Sequence, residues 1–185
     1  TGATHSERYY QPPTQVNTTI DGSEAAQEFR RLLTDSVRLR LRSDVPVGSC
    51  LSGGLDSSTI VCLMHDLLQG TQQTTVQHTF SSHFTEAEAN EPVYMEEVIR
   101  ATGVQPHFTY PTINDLINNL ERLVWSQEEP FGSTSIFAQW SVFQLIQACG
   151  VKVVLDGQGA DETLGGYLSL LRPFYQELCQ KRQWL

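Results

Sequence analysis

The sequence predicts an α/β fold in which a parallel sheet is flanked by helices. Short apolar runs typical of buried strands alternate with longer segments whose apolar residues recur every three or four positions. Two glycine-rich stretches each follow such a strand and come before a helical segment or a further run of glycines. Strands that alternate with helices indicate a parallel sheet, which binds its ligands at the carboxyl ends of the strands.

The first predicted element is a helix over residues 23–42, where Phe29, Leu33, Val37 and Leu41 recur at four-residue steps. We expect this amphipathic helix to lie against the sheet. The segment before it, residues 1–20, is polar and contains a Pro-Pro pair, which is typical of a linker or lead-in. The predicted organisation is therefore a linker over residues 1–20 and one domain over residues 21–185.

Four strands and five more helices complete the predicted order. The strands are VPVGSCL (residues 45–51), TVQHTFSSHF (75–84), the weaker HFTYP (107–111) and VKVVLD (151–156). The helices cover residues 57–70, 91–103, 113–125, 135–149 and 166–182. We find no internal repeat.

Composition and charge narrow the class of protein. The 185 residues include 39% apolar residues, enough for a sizeable core, and the formal net charge is −9. A net negative charge of this size argues against a broad surface that binds nucleic acid or acidic membranes. The sequence has no signal peptide and no apolar run long enough to cross a bilayer, so we expect a soluble, cytoplasmic protein without membrane partners.

The cysteines and histidines lack the spacing of metal sites. The four cysteines include no C-x-x-C pair, and no histidine pair has the H-E-x-x-H pattern. We therefore interpret the cysteines as small core residues in a reducing compartment and do not expect zinc.

The stretch LSGGLDSST, residues 51–59, follows the first predicted strand and opens a helix. This order directs unpaired backbone N–H groups and the positive end of a helix dipole at one spot, where phosphate binds readily. A Walker loop would place a lysine here, but this stretch has no lysine and carries Asp56 instead. An acid at this place indicates a divalent cation that bridges its carboxylate and the phosphates. The alternative is purely structural, a glycine turn followed by a helix cap.

The stretch VVLDGQGADETLGGY, residues 153–167, leaves the last predicted strand. It carries two acids, Asp161 and Glu162, between pairs of glycines. Because strand ends of a parallel sheet share one edge, we expect Asp56 and Asp161 in the same crevice, where two carboxylates suit Mg²⁺. Here too a structural alternative stays open, a glycine-rich turn with a solvated charge pair.

LSGGLDSS resembles the pyrophosphate loop of the N-type ATP pyrophosphatases, and LDGQGADETLGGY is similar to the second signature of asparagine synthetases. The preceding DVPVG also fits, so the resemblance covers residues 43–167. It implies an adenine nucleotide alpha-hydrolase-like fold and a partial asparagine-synthase-like ATP-binding domain. The implied reaction splits ATP between its α and β phosphates and joins AMP to a carboxylate, aspartate or a related acceptor. Ammonia derived from glutamine then displaces AMP and leaves an amide.

The resemblance also implies the site residues, matched position by position. Those assigned to ATP and pyrophosphate are Leu51, Ser52, Gly53, Gly54, Asp56, Ser57, Ser58, Ser82, Asp156 and Gly157. Those assigned to Mg²⁺ are Asp56 and Asp161, and those assigned to catalysis are Gln158, Asp161 and Glu162.

Two departures from the family pattern concern the acceptor. Gln158 stands where asparagine synthetases usually carry Glu, and glutamine cannot act as a base near pH 7. The family's substrate-binding Arg has no counterpart, since no basic residue lies between Arg122 and Lys152. A different acceptor pocket, lined by polar residues, is one hypothesis; its candidate members are Glu128, Ser133, Ser135 and Gln139.

Three functions therefore remain open from the sequence. The first is the nucleotide-binding core of an asparagine-synthetase-like amidotransferase, and the second is a related adenylating amide or β-lactam-type synthetase with another acceptor. The third is a non-catalytic nucleotide-binding module. The family's N-terminal glutaminase domain and distal synthetase segment have no counterpart in these residues, so we expect a fragment of a longer enzyme, incomplete for catalysis.

Overall fold

A computed structural model describes residues 2–11, 13, 15–16, 18–69, 76–83 and 91–181. The chain divides into two compact units, Thr1–Ser36 and Val37–Leu185, which we take one at a time. The domain boundary predicted at residue 21 stays a prediction.

The first unit holds most of one helix. Its described residues before Asp21 form no helix or strand, and α1 (Gly22–Arg40) follows. A reciprocal pair of hydrogen bonds opens α1, since the Glu24 N–H donates to Asp21 Oδ1 (2.8 Å) and the Asp21 N–H donates to Glu24 Oε2 (3.2 Å). The helix predicted over residues 23–42 is confirmed. Its expected packing against the sheet stays a prediction.

The second unit contains a four-stranded parallel sheet. Its strands are β1 (Val47–Cys50), β2 (His78–Ser82), β3 (Gln105–Thr109) and β4 (Val153–Leu155), in the order β3-β2-β1-β4. In the register, Ser49 pairs with Thr79 on one side and with Leu155 on the other. The predicted α/β class with a parallel sheet is confirmed, with strands shorter than the apolar runs suggested.

Six helices accompany the sheet among the described residues of this unit. They are α2 (Leu55–Gln69), α3 (Glu91–Thr102), α4 (Ile113–Gln127), α5 (Ser135–Ala148), α6 (Ala160–Leu164) and α7 (Leu171–Gln180). Four of the five helices predicted here are confirmed to within three residues at each described end. The predicted closing residue of α2, Gly70, lies outside the described residues.

The helix predicted over residues 166–182 is wrong in its first part. A 3-10 turn, Leu168–Leu170, comes before α7, and residue 182 lies outside the described residues. Pro173 explains the break, because in a longer helix its ring would clash with the carbonyl of residue 169, whereas the first turn of α7 tolerates it. The short helix α6 was not predicted. It lies between Gly159 and Gly165, both in the left-handed region, in a run whose composition suggested a loop.

Apolar side chains cover both faces of the sheet. On one face Leu51 packs with residues of α2 and α3, in a cluster that comprises Leu51, Val61, Met95 and Val104. On the other face α5 packs on β2 and β3, and Phe80, Val142 and Ile146 form a second cluster. The unit is thus a three-layer arrangement of helices, sheet and helices.

The strand order creates a switch point between β1 and β4. From β1 the chain continues to β2 on one side, while β4 joins β1 on the other side. Adjacent loops after such a strand pair leave in opposite directions and open a crevice at the carboxyl edge of the sheet. Both glycine-rich stretches begin at this edge.

Candidate nucleotide-binding site

The loop after β1 is held by the neighbouring strand. The Leu51 N–H donates to the Phe80 carbonyl (3.0 Å), and the Ser81 hydroxyl donates to the Leu51 carbonyl (2.5 Å). Gly53 takes a φ of 84°, a left-handed conformation that favours glycine, and α2 begins two residues later. Asp56, Ser57 and Ser58 therefore lie in the first turn of α2, at the end where the helix dipole is positive.

Two serine hydroxyls connect this loop internally. Ser57 Oγ accepts from the Ser52 N–H (3.1 Å), lies 3.0 Å from Ser52 Oγ and donates to the Gly54 carbonyl (3.3 Å). The Gly54 N–H donates to Ser52 Oγ (3.3 Å). An anion that binds in this loop must exchange some of these long hydrogen bonds for its own.

The loop after β4 lies against the first turn of α2. A Cβ atom on Gly157 would stand 2.7 Å from the Ser57 nitrogen and 2.9 Å from the Asp56 carbonyl carbon. Only glycine permits this approach, because both neighbouring atoms belong to the backbone of a helix. The two glycine-rich stretches are thus in direct contact, although 100 residues separate Gly157 from Ser57.

Two of the three acids of the second stretch, Asp161 and Glu162, lie in the first turn of α6. The carbonyl of Asp161 accepts from the N–H groups of Gly165 (2.9 Å) and Gly166 (3.1 Å). Its carboxylate lies directly over Gly166, where a Cβ would meet it. Glu162 accepts from the Tyr167 hydroxyl (2.6 Å), and this hydrogen bond lowers the pKa of Glu162 and raises the pKa of Tyr167.

A cleft of about 780 Å³ opens at the carboxyl edge of the sheet. Six of the residues assigned by resemblance line it: Leu51, Ser52, Ser57, Ser82, Asp156 and Gln158. Three of the four candidate acceptor-pocket residues line it as well: Ser133, Ser135 and Gln139. The remaining assigned residues are not among its described lining: Gly53, Gly54, Asp56, Ser58, Gly157, Asp161 and Glu162.

Glu128, the fourth acceptor-pocket candidate, ends α4 instead. It has a φ of 60°, and its N–H donates to the Val124 carbonyl (3.2 Å). Its side chain is exposed and does not line the cleft in the described part of the chain. A helix-cap role accounts for its position.

Cys50 is a lining residue that the sequence analysis missed. It packs against the Phe80 cluster and also faces Asp156. Burial, followed by the negative charge of Asp156 and its hydrogen bond with the thiol, raises the pKa of Cys50 to about 12. The alternation of side chains along a strand was the available signal, because it places Cys50 and Leu51 on opposite faces of the sheet.

His83 was also missed, although it directly follows the predicted Ser82. Its N–H donates to the Thr109 carbonyl (2.8 Å), and its ring lies edge-on to Phe108 (4.8 Å) and stacked on Tyr110 (5.6 Å). The ring is thereby fixed at the carboxyl end of β2, where it lines the cleft. Its place directly after a strand was the available signal.

The described lining of the cleft carries an acid and no Lys or Arg. Asp156 is that acid, and its Oδ1 accepts from the Gln158 N–H (3.3 Å). Arg122 is the last basic residue before Lys152 in the sequence, and its guanidinium lies over the Trp140 ring, 5.8 Å from the centroid.

The described residues contain neither a three-ligand metal cluster nor a membrane-spanning helix. In these parts of the chain, no three His, Cys, Asp or Glu side chains are arranged so that they could hold a metal ion. No described helix combines the length and the apolar character that crossing a membrane requires.

Comparisons with known proteins identify a family that matches this sequence. The family model described as asparagine synthase matches residues 28–184. A putative glutamine-hydrolyzing asparagine synthetase 2 of Methanocaldococcus jannaschii is 35% identical over 173 residues, covering 94% of this chain and 32% of the relative. The amidase chyE of Penicillium rubens is 31% identical over 153 residues, covering 78% of this chain and 23% of the relative. The chain thus spans about a third or less of the length of these relatives.

A solved structure is also similar. The NH3-dependent NAD synthetase from Campylobacter jejuni gives a TM-score of 0.48 at 16% identity, covering 76% of this chain and 60% of that one. The family itself follows from the sequence match, which includes both glycine-rich stretches and 157 of the 185 residues. The chain belongs to the asparagine synthase family.

Proposed function

We propose that the cleft binds ATP with Mg²⁺ and serves an AMP-forming amide synthesis. In this reaction a carboxylate is joined to AMP with release of pyrophosphate, and ammonia derived from glutamine then displaces AMP. Family membership supports the reaction class. The proposed location of the nucleotide rests on one observation, the contact of Gly157 with the first turn of α2. This contact joins the two stretches that the resemblance assigns to the nucleotide.

The loop after β1 is the proposed pyrophosphate site. Ser52 and Ser57 line the cleft, and the N–H groups of Gly53 and Gly54 belong to the turn that opens α2. The Ser58 N–H donates to the Gly54 carbonyl (3.1 Å), so Ser58 would contribute its hydroxyl. Backbone N–H groups and hydroxyls bind the negative charge that develops on a leaving pyrophosphate, and they need little reorganisation. Leu51, Ser82, Asp156 and Gly157 are assigned to the adenosine part.

Asp56 and Asp161 are the proposed ligands of Mg²⁺. Both are half-buried acids in the first turn of a helix, and these helices follow the adjacent strands β1 and β4. Their donor chemistry fits, because Mg²⁺ near polyphosphates usually takes one or two carboxylates along with phosphate oxygens and water. Bound there, Mg²⁺ offsets the charge of the leaving pyrophosphate. The absence of Lys and Arg from the described lining supports the need for a cation.

Gln158 is proposed to recognise the acceptor rather than to act as a base. Its amide is neutral, both donates and accepts hydrogen bonds, and lies on the cleft wall with Ser133 and Gln139. A small substrate with two carboxylates, such as aspartate, would find no Lys or Arg partner in the described lining. Asp161 and Glu162 complete the proposed catalytic group, Asp161 through the metal.

A different acceptor is therefore the second candidate, for a related adenylating amide or β-lactam-type synthetase. The relative from Penicillium rubens is named an amidase rather than a synthetase, so the names of the relatives indicate different activities. A non-catalytic nucleotide-binding module is the third, and the presence of Ser52, Asp56 and Asp161 argues against it. The glutaminase domain that supplies ammonia is the proposed partner, and the cytoplasmic location stays a prediction.

Pyrophosphate release tests this proposal. The chain, and any longer protein that contains it, is incubated with ATP, Mg²⁺ and ammonia, first with aspartate and then with a panel of larger carboxylates. We expect release that depends on a carboxylate other than aspartate, and Gln158→Glu to change the preferred acceptor. Ready asparagine formation by the unaltered protein would make aspartate the acceptor. Release that no carboxylate stimulates would contradict amide synthesis.

A further inference from the structure

A second group of reactive side chains lies outside the cleft. His78 Nδ1 is 2.9 Å from His107 Nε2, and His107 Nδ1 is 3.6 Å from the Cys149 sulfur. The three residues come from β2, β3 and the end of α5, so the packing of α5 on the sheet brings them together. No described member of the cleft lining belongs to this group, which we name the Cys-His-His chain.

The rings of the Cys-His-His chain are held by the core. The His107 ring stacks on Phe80, with centroids 5.0 Å apart and an angle of 16° between the planes. Phe80 is almost completely buried and anchors the cluster beneath α5. His107 is therefore fixed with one ring nitrogen towards His78 and the other towards Cys149.

Two opposite proton arrangements satisfy both hydrogen bonds with neutral groups, depending on the tautomer of His107. In the one that the reaction requires, the Cys149 S–H donates to His107 Nδ1, and the His107 Nε2–H donates to His78 Nδ1. Burial, and then the neighbouring His78, lower the pKa of His107. In its neutral form, His107 can accept the thiol proton at Nδ1, as the base does in enzymes with a nucleophilic cysteine.

We propose that Cys149 is a modification site, at which a thiol activated by His107 forms mixed disulfides with low-molecular-weight disulfides. The Cys149 proton passes to His107 Nδ1 as the sulfur bonds to one sulfur of the small disulfide. The original S–S bond breaks, and its second sulfur leaves with the electron pair and takes the proton back from His107. The products are a mixed disulfide at Cys149 and one small thiol, with no other oxidant consumed.

The other cysteines of the chain provide internal comparisons. Burial raises the pKa of Cys50 to about 12 and also raises the pKa of Cys62. Cys149 and Cys179 are both exposed, and each lies at the carboxyl end of a helix. In the described part of the chain, a histidine is hydrogen-bonded to Cys149 and none to Cys179. Cys179 is therefore a matched reference for the effect of His107.

The test measures the rate of modification at each cysteine. The protein is incubated with glutathione disulfide at pH 7, and mass spectrometry of its peptides follows all four cysteines. We expect Cys149 to react about tenfold faster than Cys179, or more, which is less than the roughly 10²-fold or greater contribution of a positioned base in an enzyme. His107→Phe keeps an aromatic ring against Phe80 but removes the base, so Cys149 should fall to within about twofold of Cys179.

Controls separate this chemistry from loss of structure. His65→Phe removes a histidine of α2 that is hydrogen-bonded to Gln69, and it should leave the ratio of the Cys149 and Cys179 rates unchanged. Cys50 and Cys62 report unfolding, because both then become reactive. A rate at Cys149 that does not exceed the Cys179 rate in the unaltered protein overturns the proposal, whether or not the variants fold. So does an unchanged ratio in folded His107→Phe.

Discussion

Replacing Gly157 by Ala adds one methyl group where the two glycine-rich stretches touch. That Cβ would stand 2.7 Å from the Ser57 nitrogen, 2.9 Å from the Asp56 carbonyl carbon and 3.0 Å from the Asp56 Cβ. All three atoms belong to the first turn of α2 or are fixed directly to it. The φ of Gly157 lies outside the left-handed region, so the cost of the change in the folded state comes from steric contact and not from backbone strain.

The size of the effect follows from these distances. Contacts at 2.7 to 3.0 Å lie well inside ordinary van der Waals separation, so the loop after β4 must move away from α2. Forcing a methyl group into a packed site costs about 1–3 kcal/mol of the free energy of unfolding. The same displacement separates Asp156 and Gln158 from Ser52 and Ser57, so we expect the affinity for ATP to fall by about tenfold or more, or about 1.4 kcal/mol.

Urea denaturation and calorimetry with Mg²⁺ and ATP measure the two effects. Gly132→Ala is the control, because a Cβ added at Gly132 would meet no atom within 4 Å and its φ is not left-handed. We expect its free energy of unfolding to change by less than about 0.5 kcal/mol. If Gly157→Ala matches Gly132→Ala in both stability and affinity, the two stretches do not touch as described and the location of the site is wrong.

Three further predictions concern the core and two helix ends. Met64→Ala empties a fully buried position in α2 and should lower the free energy of unfolding by about 2–5 kcal/mol in urea, whereas the exposed Val93→Ala should not. Thr112→Ala removes the cap of α4. Hydrogen bonds from Thr112 lower the pKa of Asp115, so their stabilisation is present above about pH 4 and is lost in acid. The destabilisation by Thr112→Ala, measured by thermal unfolding, should therefore be larger at pH 7 than at about pH 3. Tyr167→Phe removes the hydrogen bond that lowers the pKa of Glu162, so an NMR titration should show that pKa rise, and Tyr175→Phe should leave it unchanged.

Hydrophobic period and glycine position were sufficient to predict the order of the strands along the chain. They also predicted that the two glycine-rich stretches meet, because parallel strands that end at one edge bring their loops together. The contact of Gly157 with Ser57 has this origin. The sheet order itself, with β4 beside β1, depends on long-range pairing that no local pattern encodes.

The sequence did not predict where the side chains of the candidate site point. The resemblance assigns both Asp161 and Glu162 to catalysis, but Glu162 accepts a hydrogen bond from Tyr167 and Asp161 lies over Gly166. These contacts depend on the turn after α6, a helix too short for its period to be recognised. The interpretation of the cysteines as core residues failed for Cys149 and Cys179, which are exposed, because an apolar neighbourhood in sequence does not fix the face of a helix end.

Calorimetry of Mg²⁺ and ATP binding to the chain tests the central claim most directly. We expect binding at millimolar ligand or below, and Asp56→Asn to weaken it by about tenfold or more, or about 1.4 kcal/mol, because the change removes a carboxylate proposed to hold the cation. Asp66→Asn makes the same charge change near the other end of α2 and should leave the affinity unaltered. Absence of binding by the folded chain, or equal affinities in the two variants, would contradict the assignment of this cleft to ATP.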